Sequence, residues 1–229
     1  MVLFNTKAII CQMLNLSRIS FVLKKIYLNL NQGQINEIHK KEIFLPWFTY
    51  PAIFWTLKNI NASMKVFEYG SGNSTLFLSQ KVKELVSIEH NKQWFDDTQE
   101  KLKQKNISTT YQLIEPTPIN QPTDNHIPGN YLSAKRNESF KNYSESISKY
   151  PDNYFDIIII DGRARMSCLH HAISKVASEG YIILDNSERR RYLSGIKLLR
   201  KKGFKQLDFC GFGQVWDSCW ITSIFQKLT

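Results

Sequence analysis

The chain has 229 residues, a length that fits one domain or one domain with a small appendage. Hydrophobic residues make up 42% of it, enough for a sizeable core, and the cysteines lie apart at positions 11, 168, 210 and 219. This spacing excludes a zinc site of the Cys-x-x-Cys type and favours a reducing, cytoplasmic setting. A net charge of +10 permits nucleic acid, anionic substrates or membrane surfaces as partners without selecting among them.

Residues 1–42 are apolar but interrupted, and they predict a helical appendage that precedes the main domain at 43–229. They contain no apolar run near the roughly 20 residues that a membrane-spanning helix needs. The charge order of a signal peptide is also absent. We expect these helices to dock on the domain. The alternative is an interfacial helix with Lys24 and Lys25 at lipid headgroups, and hence weak peripheral membrane association.

From residue 43 onward, short apolar runs alternate with helical patterns, which predicts a doubly wound α/β sheet. The β-branched run at 155–160 is the clearest strand, because unbroken runs of this kind are buried on both faces of a parallel sheet. Before the first strand, Trp47 and Tyr50 belong to a rigid aromatic segment that either packs or walls a ligand pocket. The predicted strands are 65–69, 85–89, 109–114, 155–160, 181–184, 206–211 and 220–225, and the predicted helices are 52–58, 75–82, 94–105, 168–177 and 188–202.

The segment 64–90 carries the strongest functional signal. Glu68 ends the first predicted strand, and Gly70 and Gly72 follow it. Glycines at this place allow a sharp turn from strand to helix and let a ligand approach the backbone. The second strand then ends in an acid, Glu89. A backbone that a ligand can approach at the glycines, together with a carboxylate that can accept hydrogen bonds from ribose hydroxyls, suits an adenosine ligand.

This order of strand, acid, Gly-x-Gly, helix, strand and acid resembles the cofactor motif of class I S-adenosylmethionine (SAM)-dependent methyltransferases. The resemblance extends over roughly residues 43–228 and points to a bacterial branch of uncharacterised methyltransferases. It implies a mostly parallel, seven-stranded Rossmann-like sheet with a C-terminal antiparallel hairpin, and SAM as the cofactor. Ser74 stands where a third glycine often occurs. The implied cofactor-binding residues are Glu68, Gly70, Ser71, Gly72, Asn73, Ser74, Glu89 and His90.

A second constellation follows two later strands. Asp161 comes directly after the strand at 155–160, and Asp185 and Asn186 follow the next predicted strand. The ends of neighbouring parallel strands meet at one edge of the sheet, so these side chains can share one ion. The set resembles the metal site of catechol-type O-methyltransferases, which implies Mg²⁺ there and Asp161 as the catalytic residue. Ala164 replaces the lysine base of that family. The alternative is that Asp161 contacts cofactor or substrate directly and that the Asp-Asn pair caps a helix.

Arginines flank the same strand ends, and Arg163 and Arg189 are predicted to contact an anionic acceptor. A solvated basic face is the alternative interpretation. Residues 115–150 hold four prolines and many polar residues, which predicts an insertion over the cofactor end of the sheet, with a helix at 143–149. A disordered surface insertion is the alternative here. His126 and Tyr143 are candidate bases within this insertion.

Together these features predict a SAM-dependent methyltransferase that acts on an oxygen of a small-molecule or sugar-like acceptor. A nucleic-acid methyltransferase is the first alternative because the chain is basic, although the Asn/Asp-Pro-Pro-Tyr signature of base amino-methylating enzymes is missing. The second is a cofactor-binding or interaction protein that has lost catalysis. An NAD-dependent dehydrogenase is disfavoured by the absent third glycine.

Overall fold

The computed structural model describes residues 17–120, 130–132 and 137–228. Nine strands lie within these ranges: β1 Lys65–Tyr69, β2 Glu84–Glu89, β3 Thr110–Leu113, β4 Thr117–Pro118, β5 Glu138–Ser139, β6 Phe155–Ile160, β7 Val176–Leu184, β8 Phe204–Gly211 and β9 Trp220–Lys227. The α-helices of the same ranges are Ser17–Leu30, Gln32–Lys41, Tyr50–Asn59, Asn73–Leu78, Lys92–Gln104, Lys141–Glu145, Arg165–Ala172 and Leu193–Lys201, with 3₁₀ turns at Ser146–Lys149 and Arg190–Tyr192.

Seven of these strands form one sheet in the order β3-β2-β1-β6-β7-β9-β8. The first five strands of that order pair in parallel. Strand β9 runs antiparallel to both β7 and β8. The short strands β4 and β5 pair with each other in a separate ribbon. The structure therefore confirms the predicted mostly parallel sheet with an antiparallel C-terminal hairpin.

Strand β6 lies at the centre of this sheet, and its isoleucines are buried. Ile158 and Ile160 pack into one hydrophobic cluster, whereas Ile157 and Ile159 pack into another. Because successive side chains of a strand point to opposite faces, the two clusters are the two layers on either side of the sheet. Burial of each such side chain contributes about 1.5–3 kcal/mol. Apolar packing on both faces thus fixes where β6 ends, and Asp161 follows at that edge.

The chain between β6 and β7 departs from the sequence prediction. The helix expected at 168–177 is instead Arg165–Ala172, and β7 begins soon after it. Residues 178–180, expected to connect that helix to the strand at 181–184, are instead part of β7. Glu179 has a φ of 60° there, and the pairing of β7 with β6 shifts register. A bulge of this kind absorbs the extra residues while the strand continues.

The helix expected at 188–202 begins only at Leu193, after a 3₁₀ turn. Polar side chains hold the preceding residues away from a helical path. The Ser187 hydroxyl donates to the Ile221 carbonyl at 3.2 Å, and the Glu188 carboxylate accepts the Ile221 N–H at 3.0 Å. These bonds tie the loop after β7 to β9. The Asp-Asn pair before this loop therefore does not cap the next helix.

The described part of the predicted insertion packs against the carboxyl edge of the sheet. Tyr143 and Ile147 are fully buried in the core. The Tyr69 hydroxyl, at the end of β1, donates to the Ser144 carbonyl at 2.7 Å. The helix of this segment is Lys141–Glu145, earlier than the predicted 143–149, and a 3₁₀ turn continues it. In this part the insertion contributes to the core.

The helix Ser17–Leu30 lies against the loop that joins β8 to β9. The ring of Tyr27 packs 5.6 Å from that of Phe212, measured between centroids. Lys24 Nζ pairs with the Asp217 carboxylate at 2.9 Å. The division into an appendage and a main domain stays a prediction. No helix within the described ranges is long and apolar enough to cross a membrane.

The cysteines depart from the expectation of four separate thiols. Cys210 is disulfide-bonded. Cys168 is a buried thiol whose pKa burial raises to about 12. The cytoplasmic location stays a prediction.

We predict that Gly70→Ala destabilises the fold, because Gly70 has a φ of 90° and an added Cβ would lie 2.6 Å from the Gly162 nitrogen. Strain of this kind costs on the order of 1–3 kcal/mol, so the thermal midpoint should fall by roughly 2–10 °C. Gly33→Ala is the matched control, because Gly33 is helical and has open space around it. That change should raise stability by up to about 1 kcal/mol. Equal midpoints for the two variants would contradict the close packing at Gly70.

Candidate functional site

A cavity of about 440 Å³ opens at the carboxyl ends of β1, β2, β6 and β7. Ligands of open parallel sheets bind at this edge. The volume lies within the roughly 300–1,000 Å³ that is usual for small-molecule sites. The cavity is lined by Trp47, Gly70, Ser71, Glu89, His90, Asn91, Trp94, Asp161, Gly162, Arg163, Arg165, Asp185, Asn186, Arg189 and Trp216.

The predicted site residues divide into those that line this cavity and those that do not. The predicted metal and substrate residues all line it, as do four of the predicted cofactor residues, Gly70, Ser71, Glu89 and His90. The other predicted cofactor residues do not line it, and these are Glu68, Gly72, Asn73 and Ser74.

Glu68 lies beneath the glycine turn. Its carboxylate is fully buried and accepts hydrogen bonds from the hydroxyls of Thr75 at 2.6 Å and Ser87 at 2.5 Å. The Thr75 hydroxyl in turn accepts the N–H of Gly72 at 3.0 Å. Burial raises the pKa of Glu68 to about 7. Glu68 therefore shapes the turn through Thr75, and it does not line the cavity.

Glu89 faces the cavity from the end of β2. One carboxylate oxygen accepts the N–H of Ser71 at 2.9 Å, and the other accepts the N–H groups of His90 and Asn91, each at 2.8 Å. Burial acts to raise the pKa of Glu89, but the bonds from His90, Asn91 and Ser71 outweigh it and lower the pKa. The carboxylate is therefore ionised at neutral pH. It ties the turn after β1 to the chain after β2.

Three tryptophans, Trp47, Trp94 and Trp216, form an aromatic wall along the cavity. Trp94 Nε1 donates to the Ser71 carbonyl at 2.7 Å, and its ring meets that of Trp47 edge-on with centroids 5.6 Å apart. Trp216 is 58% exposed and comes from the loop between β8 and β9. Lys24 Nζ donates to the Trp216 carbonyl at 2.8 Å. Sequence reasoning considered Trp47 but missed Trp216, because no local pattern places that loop beside the cavity.

Arg165 connects the loops that follow β6 and β7. Its guanidinium donates to the Asp161 carboxylate at 2.8 Å and to the Asp161 carbonyl at 2.7 Å. It also donates to the carbonyls of Gly162, at 3.0 Å, and Asp185. Burial raises the pKa of both Asp161 and Asp185, and the Arg165 charge opposes the rise. The arginine is thus the cation that offsets these two acids.

The predicted metal ligands do not fit a resident Mg²⁺. Arg165 already binds the Asp161 carboxylate. One oxygen of the Asp185 carboxylate accepts from Trp220 Nε1 at 2.9 Å and from the Thr222 hydroxyl at 2.6 Å. An Mg²⁺ at this place would lie beside the Arg165 charge, which repels a cation and already neutralises the Asp161 carboxylate. In the described ranges, no three His, Cys, Asp or Glu side chains are grouped so that they could hold an ion.

Of the two candidate bases in the insertion, Tyr143 is described and does not line the cavity. The Tyr143 hydroxyl is buried close to Gly162, and burial raises the pKa of Tyr143 well above its ordinary value. His126 lies outside the described residues. Asp161, by contrast, lines the cavity with 28% of its side chain exposed. Of Asp161 and Tyr143, Asp161 is the one that lines the cavity.

A second cavity of about 360 Å³ adjoins the first and shares His90, Asn91 and Arg163 with it. It extends past the end of β3 to Glu115 and to Phe140 of the insertion. Sequence reasoning missed Asn91, although an asparagine directly before a helix is a recognisable cap. The two cavities together run from the end of β3 to the end of β7.

The exposed arginines differ in where they lie. Arg163 lines both cavities. Arg189 lines the first, and its Nε is 3.9 Å from the Glu188 carboxylate, at the limit of an ion pair. Of the run at 189–191, neither Arg190 nor Arg191 lines the cavity. Arg189 is therefore the member of this run that can meet a molecule bound there.

We expect Glu68→Gln to change how stability depends on pH. The pKa of Glu68 rises from 4.5 to about 7 on folding. The folded state therefore binds more protons between these values, and stability falls as pH rises through this window. Glu68→Gln removes this fall, so between about pH 5 and pH 8 its unfolding free energy should gain on the order of 2–3 kcal/mol relative to the parent.

Urea unfolding at the two pH values measures this difference, and the exposed Glu100→Gln serves as the control. A parent protein and Glu68→Gln variant with the same pH dependence would contradict the buried position of Glu68.

No protein-family model and no curated protein sequence matches the chain. Solved structures do match it. An rRNA methylase from Streptococcus thermophilus superposes with a TM-score of 0.53 at 14% identity, over 78% of this chain and 97% of that chain. Precorrin-6y C5,15-methyltransferase from Geobacter metallireducens gives 0.54 at 14% identity, over 78% of this chain and 87% of that chain. A Streptococcus mutans protein designated a methyltransferase, in complex with SAH, gives 0.50 at 14% identity, over 77% and 97%. The chain thus has the Rossmann-like fold of class I SAM-dependent methyltransferases, as its sequence predicted.

Proposed function

We propose that the chain is a SAM-dependent methyltransferase. The observation that carries this proposal is the meeting of the Gly70–Ser71 turn and the ionised Glu89 carboxylate in one cavity, at the carboxyl edge of the sheet. Its fold is shared with solved methyltransferases, one of them in complex with SAH. A glycine turn and a charged acid, both beside a cavity of small-molecule size, are what the binding of an adenosine ligand requires.

In this proposal the cofactor extends across both cavities. Glu89 accepts a hydrogen bond from the ribose hydroxyls at Oε2, because it is ionised and this oxygen accepts only one backbone N–H, that of Ser71. The Ser71 hydroxyl, which donates to the same oxygen at 3.1 Å, is the donor that a ribose hydroxyl replaces. The adenine lies toward the second cavity, beside His90 and Phe140. The amino-acid end lies at Gly70 and Ser71, where the absence of a side chain on Gly70 lets the ligand approach the backbone. Glu68 acts indirectly, by holding the turn in shape.

Methyl transfer then takes place beside Asp161. When bound, SAM would supply an activated methyl group to an acceptor oxygen, and S-adenosylhomocysteine would leave as the other product. The acceptor proton passes to the Asp161 carboxylate and from there to water. A carboxylate whose pKa is raised by burial is a stronger base than an ordinary one. Positioning supplies most of the rate, because the methyl group is already activated.

The acceptor that this site supports best is an anionic small molecule. Arg163 and Arg189 border the cavity, and the aromatic wall offers flat apolar surface for a ring. The volume of the cavity also suits a small acceptor. The net charge of +10 favours a nucleic acid as the second candidate.

Cofactor binding is tested by calorimetry with S-adenosylhomocysteine and NAD. We expect the first to bind and the second not to bind. Gly72→Val should abolish binding, because Gly72 has a φ of 152° and an added Cβ would lie 3.3 Å from the Trp94 ring, so the turn must move. Glu89→Gln is the milder variant and should weaken binding about tenfold through loss of charge-assisted bonds.

The exposed Glu100→Gln is the control for Glu89→Gln and should bind as the parent does. Affinity that stays unchanged in both Gly72→Val and Glu89→Gln would contradict the assignment of the cavity as the cofactor site.

The acceptor is tested with Arg189→Gln and Arg190→Gln as a matched pair. Arg189 lines the cavity and its exposed neighbour Arg190 does not. With tritium-labelled SAM and a low-molecular-weight cell extract, Arg189→Gln should lower methyl transfer about tenfold, the loss expected for one charge-assisted bond. Arg190→Gln should transfer as the parent does, and the difference should shrink in high salt.

Equal methyl transfer by Arg189→Gln and Arg190→Gln would contradict a role of Arg189 in binding the acceptor. It would support the alternative that these arginines form a solvated basic face. A parallel reaction offers total RNA in place of this extract, and label that enters the RNA while none enters the small molecules would favour the second candidate.

A further inference from the structure

Arg165 is a buried arginine in a pocket of oxygen atoms. The residue is 8% exposed. Its guanidinium donates to one carboxylate oxygen of Asp161 and to the carbonyl oxygens of Asp161, Gly162 and Asp185. These oxygens belong to two separate loops, one after β6 and one after β7. The side chain thus joins the two strand ends that border the cavity.

The position of Arg165 is not explained by its own helix. The residue begins the helix Arg165–Ala172, and a cation at a helix start opposes the macrodipole. Burial of a guanidinium is also costly unless its donors are paired. What offsets both costs is the surrounding set of carboxylate and carbonyl oxygens, together with the second buried acid, Asp185. Oxygen sets of this type are the ones that bind hard divalent cations.

We propose that Arg165 is the resident cation of this edge and occupies the place that the sequence pattern assigned to Mg²⁺. It is a positioning residue, which fixes the Asp161 carboxylate in the cavity wall and holds the loops after β6 and β7 together. The site accordingly works without a divalent metal. The role of Asp161 in methyl transfer rests on the proposed function, whereas the assignment of the cation rests on the contacts of Arg165.

Binding of Mn²⁺, followed by electron paramagnetic resonance, tests this inference. The parent protein should bind no stoichiometric Mn²⁺, and its affinity for S-adenosylhomocysteine should be equal in EDTA and in Mg²⁺. Arg165→Met removes the charge and leaves the oxygen atoms, so it should gain one Mn²⁺ per chain. That gain should disappear when Asp161→Asn is added. Arg165→Lys keeps a cation and should bind no Mn²⁺.

Arg163→Met is the matched control, since it removes an exposed cation two residues away and should gain no Mn²⁺. One Mn²⁺ bound to the parent and lost in Asp161→Asn would overturn the inference. A folded Arg165→Met variant that gains no Mn²⁺ would overturn it as well. If circular dichroism shows Arg165→Met to be unfolded, the comparison of parent with Asp161→Asn decides alone. Failure of the parent to bind S-adenosylhomocysteine would instead contradict the proposed function, because the Mn²⁺ readout does not depend on the cofactor.

Discussion

The close approach of two backbone segments, the turn after β1 and the loop after β6, is the constraint on which the site depends. Gly70 donates to the Ile88 carbonyl at 2.9 Å, and the Asp161 N–H donates to the Tyr69 carbonyl at 3.0 Å. A Cβ at Gly70 would collide with Gly162. Strands β2, β1 and β6 therefore end at one level, and the residues that follow them line one cavity.

Acidic groups gather at this edge, and each is accommodated in a different way. Glu68 is buried among hydroxyls, and its pKa rises. Glu89 is buried among backbone N–H groups, and its pKa falls. The Asp161 carboxylate accepts from Arg165, whereas the Asp185 carboxylate accepts from Trp220 and Thr222. Because these environments differ, the pKa of Glu89 is lowered, whereas the pKa values of Glu68, Asp161 and Asp185 are raised.

The sequence was sufficient for features that depend on local pattern. The isoleucine run before Asp161 identified the central strand, since only a strand covered on both faces carries such a run. The order of Glu68, the glycines and Glu89 identified the cavity edge, since parallel strands bring their ends together.

Features that depend on tertiary contacts were beyond the sequence. Arg165 read as one of several flanking cations, because burial and its oxygen partners are decided by the packing of two loops. Glu179 was predicted to lie between a helix and a strand, because a bulge inside a strand becomes visible only when the partner strand is known. Trp216 belongs to a loop that is hydrogen-bonded to Lys24, a residue 192 positions earlier in the sequence. The late start of the helix at Leu193 depends on bonds to β9.

The central claim is that this edge of the sheet holds the cofactor of a methyltransferase. A crystal structure of the protein with S-adenosylhomocysteine tests it most directly. We expect the ribose hydroxyls on Glu89, the adenine in the second cavity, the amino-acid end at Gly70 and Ser71, and Arg165 still bound to Asp161. The ligand bound elsewhere, or no ligand at saturating concentration, would contradict the account.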